Sequence, residues 1–389
     1  MLFSKLMLNR FKAYLLLPSI CIASLCFGQI NSPYSRFGLG DMYNSRNVVN
    51  KGMGGLATAT FDYQSVNFIN PASYSRLQSV TLDVGIEYES RTMRNATKTE
   101  KYNSANFLYN YFALGMPLKK DKLGATVWGL ALGLRPVSRV NYNLTETGRL
   151  PGIDSFATNF EGNGGASRAF IGTGARVKNV SFGINAGFLF GQNDINTRRT
   201  LINDTVAYFS TRFQQQTAYS KFFVDAGVQW EIKASKKARF LLGANGYLGQ
   251  NANATANIRR ETYLPSATGE VDSLDVALSQ TGVEGTITFP AGYSLGVVFD
   301  KMDNFFVGVE WEQAMWSKYR FFGQTENFAN SSMFRIGGQW IPTMLPTRNY
   351  FKRVTYRLGF YSGRDFLQHN GSPLPIWAFT AGAALPVRR

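Results

Sequence analysis

The stretch Phe222 to Ile232, FFVDAGVQWEI, alternates with a period of two. Phe222, Val224, Ala226, Val228, Trp230 and Ile232 fall on one side, and Phe223, Asp225, Gly227, Gln229 and Glu231 on the other. Side chains of a strand point to opposite faces in turn, so this segment is a strand with one apolar and one largely polar face. It exceeds the roughly 5–6 residues usual in soluble sheets and matches the roughly 9–11 that a tilted bilayer crossing needs. The pattern recurs along the chain. Leu82, Val84, Ile86 and Tyr88 oppose Thr81, Asp83, Gly85 and Glu87; Phe305, Val307, Val309 and Trp311 oppose Asn304, Gly308, Glu310 and Glu312. Phe334, Ile336, Gly338 and Trp340 oppose Met333, Arg335, Gly337 and Gln339, and Val354, Tyr356, Leu358 and Phe360 oppose Arg353, Thr355, Arg357 and Gly359. Further strands fall near 105–117, 122–142, 166–178, 179–192, 196–213, 237–250, 284–300 and 375–386, giving about 13 in all. Leu123 to Leu134 is ambiguous, being apolar on both faces.

A soluble β-sandwich also alternates. Strand length, the confinement of charge to one face, and aromatics near strand ends (Trp316, Tyr319, Phe321, Tyr350, Phe351) favour a membrane barrel with interfacial girdles. Composition agrees: 31 Phe, 19 Tyr and 38 Gly occur in a chain of slightly negative mean hydropathy. No stretch after the N-terminus is apolar for 18 residues, so no transmembrane helix is expected there. The reading is an all-β, antiparallel transmembrane β-barrel of about 14 strands. Short turns at Lys119 to Lys122, Lys178-Asn179, Ala234 to Lys237 and Lys301 to Asp303 are expected to be periplasmic. Polar excursions near 144–166, 250–283, 317–330 and 364–374 are expected to be extracellular loops.

Lys5, Arg10 and Lys12 precede an apolar stretch, Ala13 to Phe27, that is short for a bilayer span. A secretory signal over 1–28, cleaved after Gly28, fits better than a retained anchor. Leu25 before Cys26 argues against a lipoprotein signal. Both cysteines, Cys21 and Cys26, fall in the removed part, so disulfides, zinc thiolates and cysteine nucleophiles are excluded from the mature chain. The formal charge of +16 becomes +13 without the three signal cations, and the remaining cations are scattered. In an exported chain that points to anionic headgroups or phosphates rather than nucleic acid. The only histidine, His369, stands in a loop-like context without a nucleophile motif, so a surface histidine is the simpler reading than a Ser–His pair. Gly172-Thr173-Gly174 and the Gly52 to Gly55 cluster lack the Gly-Lys-Ser/Thr of a phosphate loop. No enzyme, metal or cofactor is expected. Asp83, Glu87, Asp225, Glu231, Glu310 and Glu312 are expected to pair with lumen arginines Arg335, Arg353 and Arg357, stiffening the lumen or holding a plug.

Residues 50–75, NKGMGGLATATFDYQSVNFINPASYS, have no strand or helix period and are rich in small residues, as suits a compact insertion inside the barrel. Gly52-Met53-Gly54-Gly55-Leu56-Ala57-Thr58-Ala59, then Asp62, then Val66 to Ala72 with Asn70-Pro71-Ala72, resembles the N-terminal hatch signature of the FadL/OmpP1/TodX family. Asn31 to Asp41 resembles a divergent branch found in Bacteroidetes. Specific similarity covers about residues 31–75, the remainder being architectural. The resemblance implies an outer-membrane barrel, usually of 14 strands, taking up long-chain fatty acids and other hydrophobic compounds. In such a barrel Gly52, Gly54, Gly55, Asp62, Asn70, Pro71 and Ala72 would form a gating hatch. The organisation expected is a signal at 1–28, a hatch at 29–78 and a barrel at 79–389. Family barrels commonly end on an aromatic closing strand. Pro386, Arg388 and Arg389 suit a turn instead, so one or two further strands are expected to be missing.

Two functions remain open. One is passive uptake of a hydrophobic small molecule, released sideways between strands by a shift of the hatch. The other is a non-transporting barrel subunit of an outer-membrane complex, such as type 9 secretion or barrel assembly machinery. Partners implied are outer-membrane lipid and lipopolysaccharide, a hydrophobic ligand, and other outer-membrane proteins.

Overall fold

The computed structural model describes residues 32–43, 45–94, 99–152, 155–203, 206, 208–265, 271–302, 304–343 and 347–386. The expected signal, 1–28, and Val387 to Arg389 lie outside them. Among the described residues, seventeen strands form one antiparallel sheet, and no helix is long and apolar enough to cross a membrane.

A short strand β1 (Asp41–Met42) and one helical turn α1 (Val48–Lys51) lie in the N-terminal segment. The wall then runs through β2 (Thr81–Arg94), β3 (Lys101–Lys120), β4 (Thr126–Arg149), β5 (Ser155–Val177), β6 (Val180–Ile202) and β7 (Ser210–Lys233), each paired to the one before. Next, β8 (Ala238–Tyr247) and β9 (Gln250–Pro265) lie end to end along β7. Against them lie β11 (Gly292–Lys301) and β10 (Val271–Phe289) respectively. After β12 (Phe305–Ala314), a small hairpin of β13 (Arg320–Phe321) and β14 (Gln324–Thr325) meets the end of β10. The described wall finishes with β15 (Ser331–Trp340), β16 (Thr355–His369) and β17 (Ser372–Ala384). With β8–β9 and β10–β11 each taken as one crossing, the described strands make twelve staves, close to the expected number.

Alternation sorts the faces as the sequence implies. On β7, Phe222 and Trp230 are exposed outward, while Phe223, Asp225, Gln229 and Glu231 are buried inward. Aromatic pairs lie on the outer surface, as between Phe188 and Phe222 (5.7 Å between ring centres) and between Trp340 and Tyr356 (5.8 Å). An apolar outer band over a polar lumen is the membrane-barrel arrangement. The Leu123 to Leu134 ambiguity also resolves. Leu134 and Trp128 face out, whereas Gly129, Ala131 and Gly133 face in, small because Tyr74 and Phe170 press against them.

Three expected loops are strands instead. The described residues of 144–166 and 250–283 continue β4, β5, β9 and β10 well beyond the apolar band, and 364–374 is β16 and β17 apart from the turn at 370–371. Polar Asn143, Thr145 and Asn159 lie on the outside, and Asn251, Asn253 and Thr255 alternate with buried Ala252, Ala254 and Ala256. Above the bilayer the outer face is wet, so few large apolar residues mark the period.

Pairing of β3 with β4 stops at Phe112–Leu134. Beyond that point the N-terminal segment takes the edge of β4. Asp41 pairs with Arg139 and Met42 with Ser138, Tyr43 N–H donates to Val137 O (2.8 Å), and Ser32 N–H to Asn141 O (3.0 Å). The segment then descends into the lumen, and residues 50–60 and 65–77 are almost wholly buried there. A buried apolar cluster links Leu39, Val66, Phe68, Tyr74 and Leu77 to Trp316, Tyr319, Phe328 and Phe366 at the outer mouth, where Trp316 stacks on Phe366 at 4.4 Å.

Candidate functional site

The chemistry of this lumen is concentrated where the N-terminal segment meets the wall. Carboxylates on the inward faces of strands accept its buried donors. Glu310 of β12 is 2% exposed, and its Oε2 accepts the N–H groups of Ala57 and Thr58, both at 2.7 Å. Its Oε1 takes Arg46 Nη1 at 2.9 Å, and Arg46 Nη2 reaches Glu312 at 2.6 Å. Arg335 of β15 closes the cluster on Glu312 at 2.6 Å. Burial works against the Arg46 cation, yet Glu310 and Glu312 together raise its pKa above the ordinary value. A second cluster joins Arg76 to Glu231 (2.7 Å), with Arg239 bridging Glu231 and Asp300 (3.3 and 2.7 Å). Phe61 packs against both guanidinium groups. Asp83 of β2 accepts Ser65 Oγ (2.6 Å), Val66 N–H (3.0 Å) and the Tyr111 hydroxyl (2.8 Å).

Neutral contacts complete the seat. Asn70 caps the 3₁₀ turn Pro71–Arg76 by accepting Ala72 N–H, and its Nδ2 donates to Thr58 O at 2.6 Å and to Val228 O of β7 at 3.2 Å. Pro71 suits the first position of that turn because its missing N–H would have no partner there. Gln229 donates to Thr58 O and Thr60 O, and the Tyr74 hydroxyl donates to Asn185 Oδ1 at 2.9 Å. Burial raises the Tyr74 pKa. At the ends of the wall, Lys51 pairs with Glu87 on β2 (2.6 Å), while Gly54 N–H donates to Thr380 Oγ1 on β17 (2.7 Å). The segment therefore ties the first and last described staves together.

Glycines of the wall form a girdle at this level. A Cβ on Gly129, Gly174, Gly183, Gly227, Gly243, Gly337 or Gly359 would strike Tyr74, Pro71, Pro71, Asn70, Thr58, Met53 or Gly54 respectively. These positions lie on seven different staves and face inward, so the plug meets bare backbone on most sides.

The residues singled out in the sequence divide as follows. Gly52, Gly54, Gly55, Asn70, Pro71 and Ala72 lie in the seat, and Arg335 and Glu310 meet Arg46 there. Asp62 faces Arg357 at 3.8 Å. Arg353 does not join the lumen: it lies in the 3₁₀ turn Tyr350–Arg353, because pairing of β16 starts only at Thr355. Arg46, Arg76, Asn185 and Gln229 were not anticipated; an isolated Arg46 upstream of the small-residue stretch was the one available signal. His369 ends β16 and is exposed, with a ring nitrogen 3.3 Å from Asn370 Nδ2.

Above the plug lies a cavity of about 990 Å³. Its walls include Arg46, Arg135, Arg168, Lys221, Asp225, Glu312 and Arg335, with Leu189, Tyr247 and Phe289 among them. Arg168 pairs with Asp225 at 3.2 Å, and Lys221 Nζ sits 4.2 Å above the Phe289 ring. Charged and apolar side chains share its lining.

Residues 7–389 match the model of the BamG family. No curated protein matches the chain. Among solved structures, a FadL homologue of Pseudomonas aeruginosa is 14% identical with a TM-score of 0.52, covering 86% of this chain and 84% of that one. The CymD monoaromatic hydrocarbon channel is 12% identical with a TM-score of 0.50, covering 90% of each chain. A deletion mutant of the TodX monoaromatic hydrocarbon channel is 14% identical, again with a TM-score of 0.50 and 90% of each covered. The fold is thus that of FadL-type outer-membrane barrels.

Proposed function

The chain belongs to the BamG family, and from its lumen we propose that it is a closed, non-transporting barrel of the outer membrane, serving as a subunit of barrel assembly machinery. One observation carries this reading: the plug is held by buried ion pairs inside a girdle of glycines. Such a seat suits a fixed part. Withdrawing the plug would break the Arg46–Glu310 and Arg76–Glu231 pairs and strand buried N–H groups on Ala57 and Thr58, and unpaired buried charge is strongly unfavourable. The cavity above the plug carries Arg46, Arg135, Arg168 and Arg335 beside its apolar lining, so a solute there meets fixed charge. The Bam designation of the family accords with barrel assembly machinery, and resemblance to hydrocarbon channels at 12–14% identity carries the fold alone. Uptake of a hydrophobic solute is the second reading, favoured by the size of that same cavity.

A disulfide separates the two. The Thr58 and Ser294 hydroxyl oxygens are 2.8 Å apart, on plug and wall. In the chain carrying T58C and S294C, oxidation would fix the plug. A structural subunit keeps complementing a deletion strain and keeps co-purifying with partner proteins when oxidised, and labelled fatty acid or toluene uptake is the same with and without the gene. Loss of complementation on oxidation, regained on reduction, together with gene-dependent uptake, would establish a moving hatch and refute this proposal.

A further inference from the structure

The two ends of the barrel differ in charge. At the end where the strands stop close to the apolar band, taken as periplasmic, each of five turns carries or adjoins an exposed cation: Lys122, Lys178, Lys236, Lys301 and Lys352. Acid there is scarce among the described residues. Asp121 is engaged by the N–H groups of Leu123 and Ala125, and Asp300 by Arg239. The opposite end mixes signs, with Arg212 and Arg259 on Glu261 and Arg198 on Glu161 at 3.5 Å.

These cations lie close to the apolar band. On β7 the outward apolar face runs to Ile232, and Lys236 follows four residues later, within about 13 Å of extended chain. The headgroup layer beneath a bilayer core is roughly 5–8 Å deep, so a turn this short places its ammonium groups in or just beyond that layer. Leu123, 94% exposed, and Phe351, 72% exposed, stand among the cations as apolar anchors. The cations also follow the circumference, from the turn between β3 and β4 to the turn between β15 and β16. A protein docked at one side would meet one sector, whereas the surrounding lipid meets every turn.

We propose that the periplasmic rim is a binding surface for anionic phospholipid headgroups of the inner leaflet, which the barrel gathers around itself. Phosphodiester groups between the short turns accept from the lysines while their acyl chains lie along the apolar staves. This surface is independent of the function proposed for the lumen, since it lies outside it.

The test uses the purified full mature chain in mixed micelles of equimolar phosphatidylglycerol and phosphatidylcholine, with retained lipid measured by mass spectrometry. The wild-type protein should retain phosphatidylglycerol several-fold over phosphatidylcholine, and the preference should collapse at about 0.5 M salt, where screening is strong. The variant K122Q/K178Q/K236Q/K301Q/K352Q should lose the preference while keeping the β-sheet circular dichroism and melting temperature of the wild type in phosphatidylcholine alone. Equal retention of the two lipids by the wild type would overturn the proposal. So would a preference that survives the five substitutions, or a periplasmic protein lost from the variant with its lipid ratio unchanged, which would mark the rim as a protein surface.

Discussion

At the scale of single residues, Glu310 does the most in this molecule. One carboxylate accepts two backbone N–H groups of the plug and pairs with Arg46, all buried. E310A would leave two buried plug donors unmatched, about 1–3 kcal/mol each, while Arg46 keeps Glu312. E310Q keeps an acceptor of the same shape and should lose less, about 1–3 kcal/mol. Denaturant unfolding in detergent, read from tryptophan fluorescence, would give both values. Equal and small effects would mean that Glu310 merely sits beside the plug. Part of this cluster was legible in the sequence, because Glu310 and Arg335 fall on polar faces of alternating strands. Arg46 was not, since a plug has no period and nothing local says which arginine reaches which strand. Arg353 was misplaced for a related reason. Alternation continues through Arg353 on paper, but the chain turns there before the strand begins.

At the scale of elements, the strands that face lipid were the readable ones. Phe222 to Ile232 carries large apolar residues on one face because hydrocarbon demands them. The extensions of β4, β5, β9 and β10 above the bilayer were hidden by the same logic, since water on the outside leaves mostly small and polar residues to mark the period. The glycine girdle was hidden differently. Gly227 and Gly183 count as polar-face positions in an alternating pattern, and only the assembled barrel shows that Asn70 and Pro71 occupy the space a side chain would need. Adding one methyl group must move the Pro71 backbone at Gly183 and the Asn70 side chain at Gly227, and overpacking of this kind costs about 1–3 kcal/mol. G183A and G227A should each therefore destabilise the barrel, and G183A/G227A should unseat the 3₁₀ turn Pro71–Arg76 enough to expose the plug to a protease added from the periplasmic side. Wild-type resistance in the double variant would show that the plug yields to the wall more easily than its contacts imply.

At the scale of the whole molecule, the question is whether plug and wall form one body or two. The plug is tied to both the first and the last described stave, through Lys51–Glu87 and Gly54–Thr380, so its position bears on the wall's own curvature. A plug of that kind seals the lumen as a consequence of holding it together. In planar bilayers the wild-type protein should then pass no steady current, even though the cavity above the plug is wide and charged. E310A should flicker open, because the loosened segment leaves a wet, arginine-lined path for ions rather than an apolar one. Combining E310A with T58C and S294C should abolish the flicker when oxidised and restore it on reduction, since the disulfide ties residue 58, one of the two that Glu310 anchored, to the wall. Steady current through the wild type would show that the lumen is open around its plug. Flicker that ignores the disulfide would place the leak elsewhere in the wall, where β3 and β4 part above Leu134 and only the N-terminal segment fills the edge.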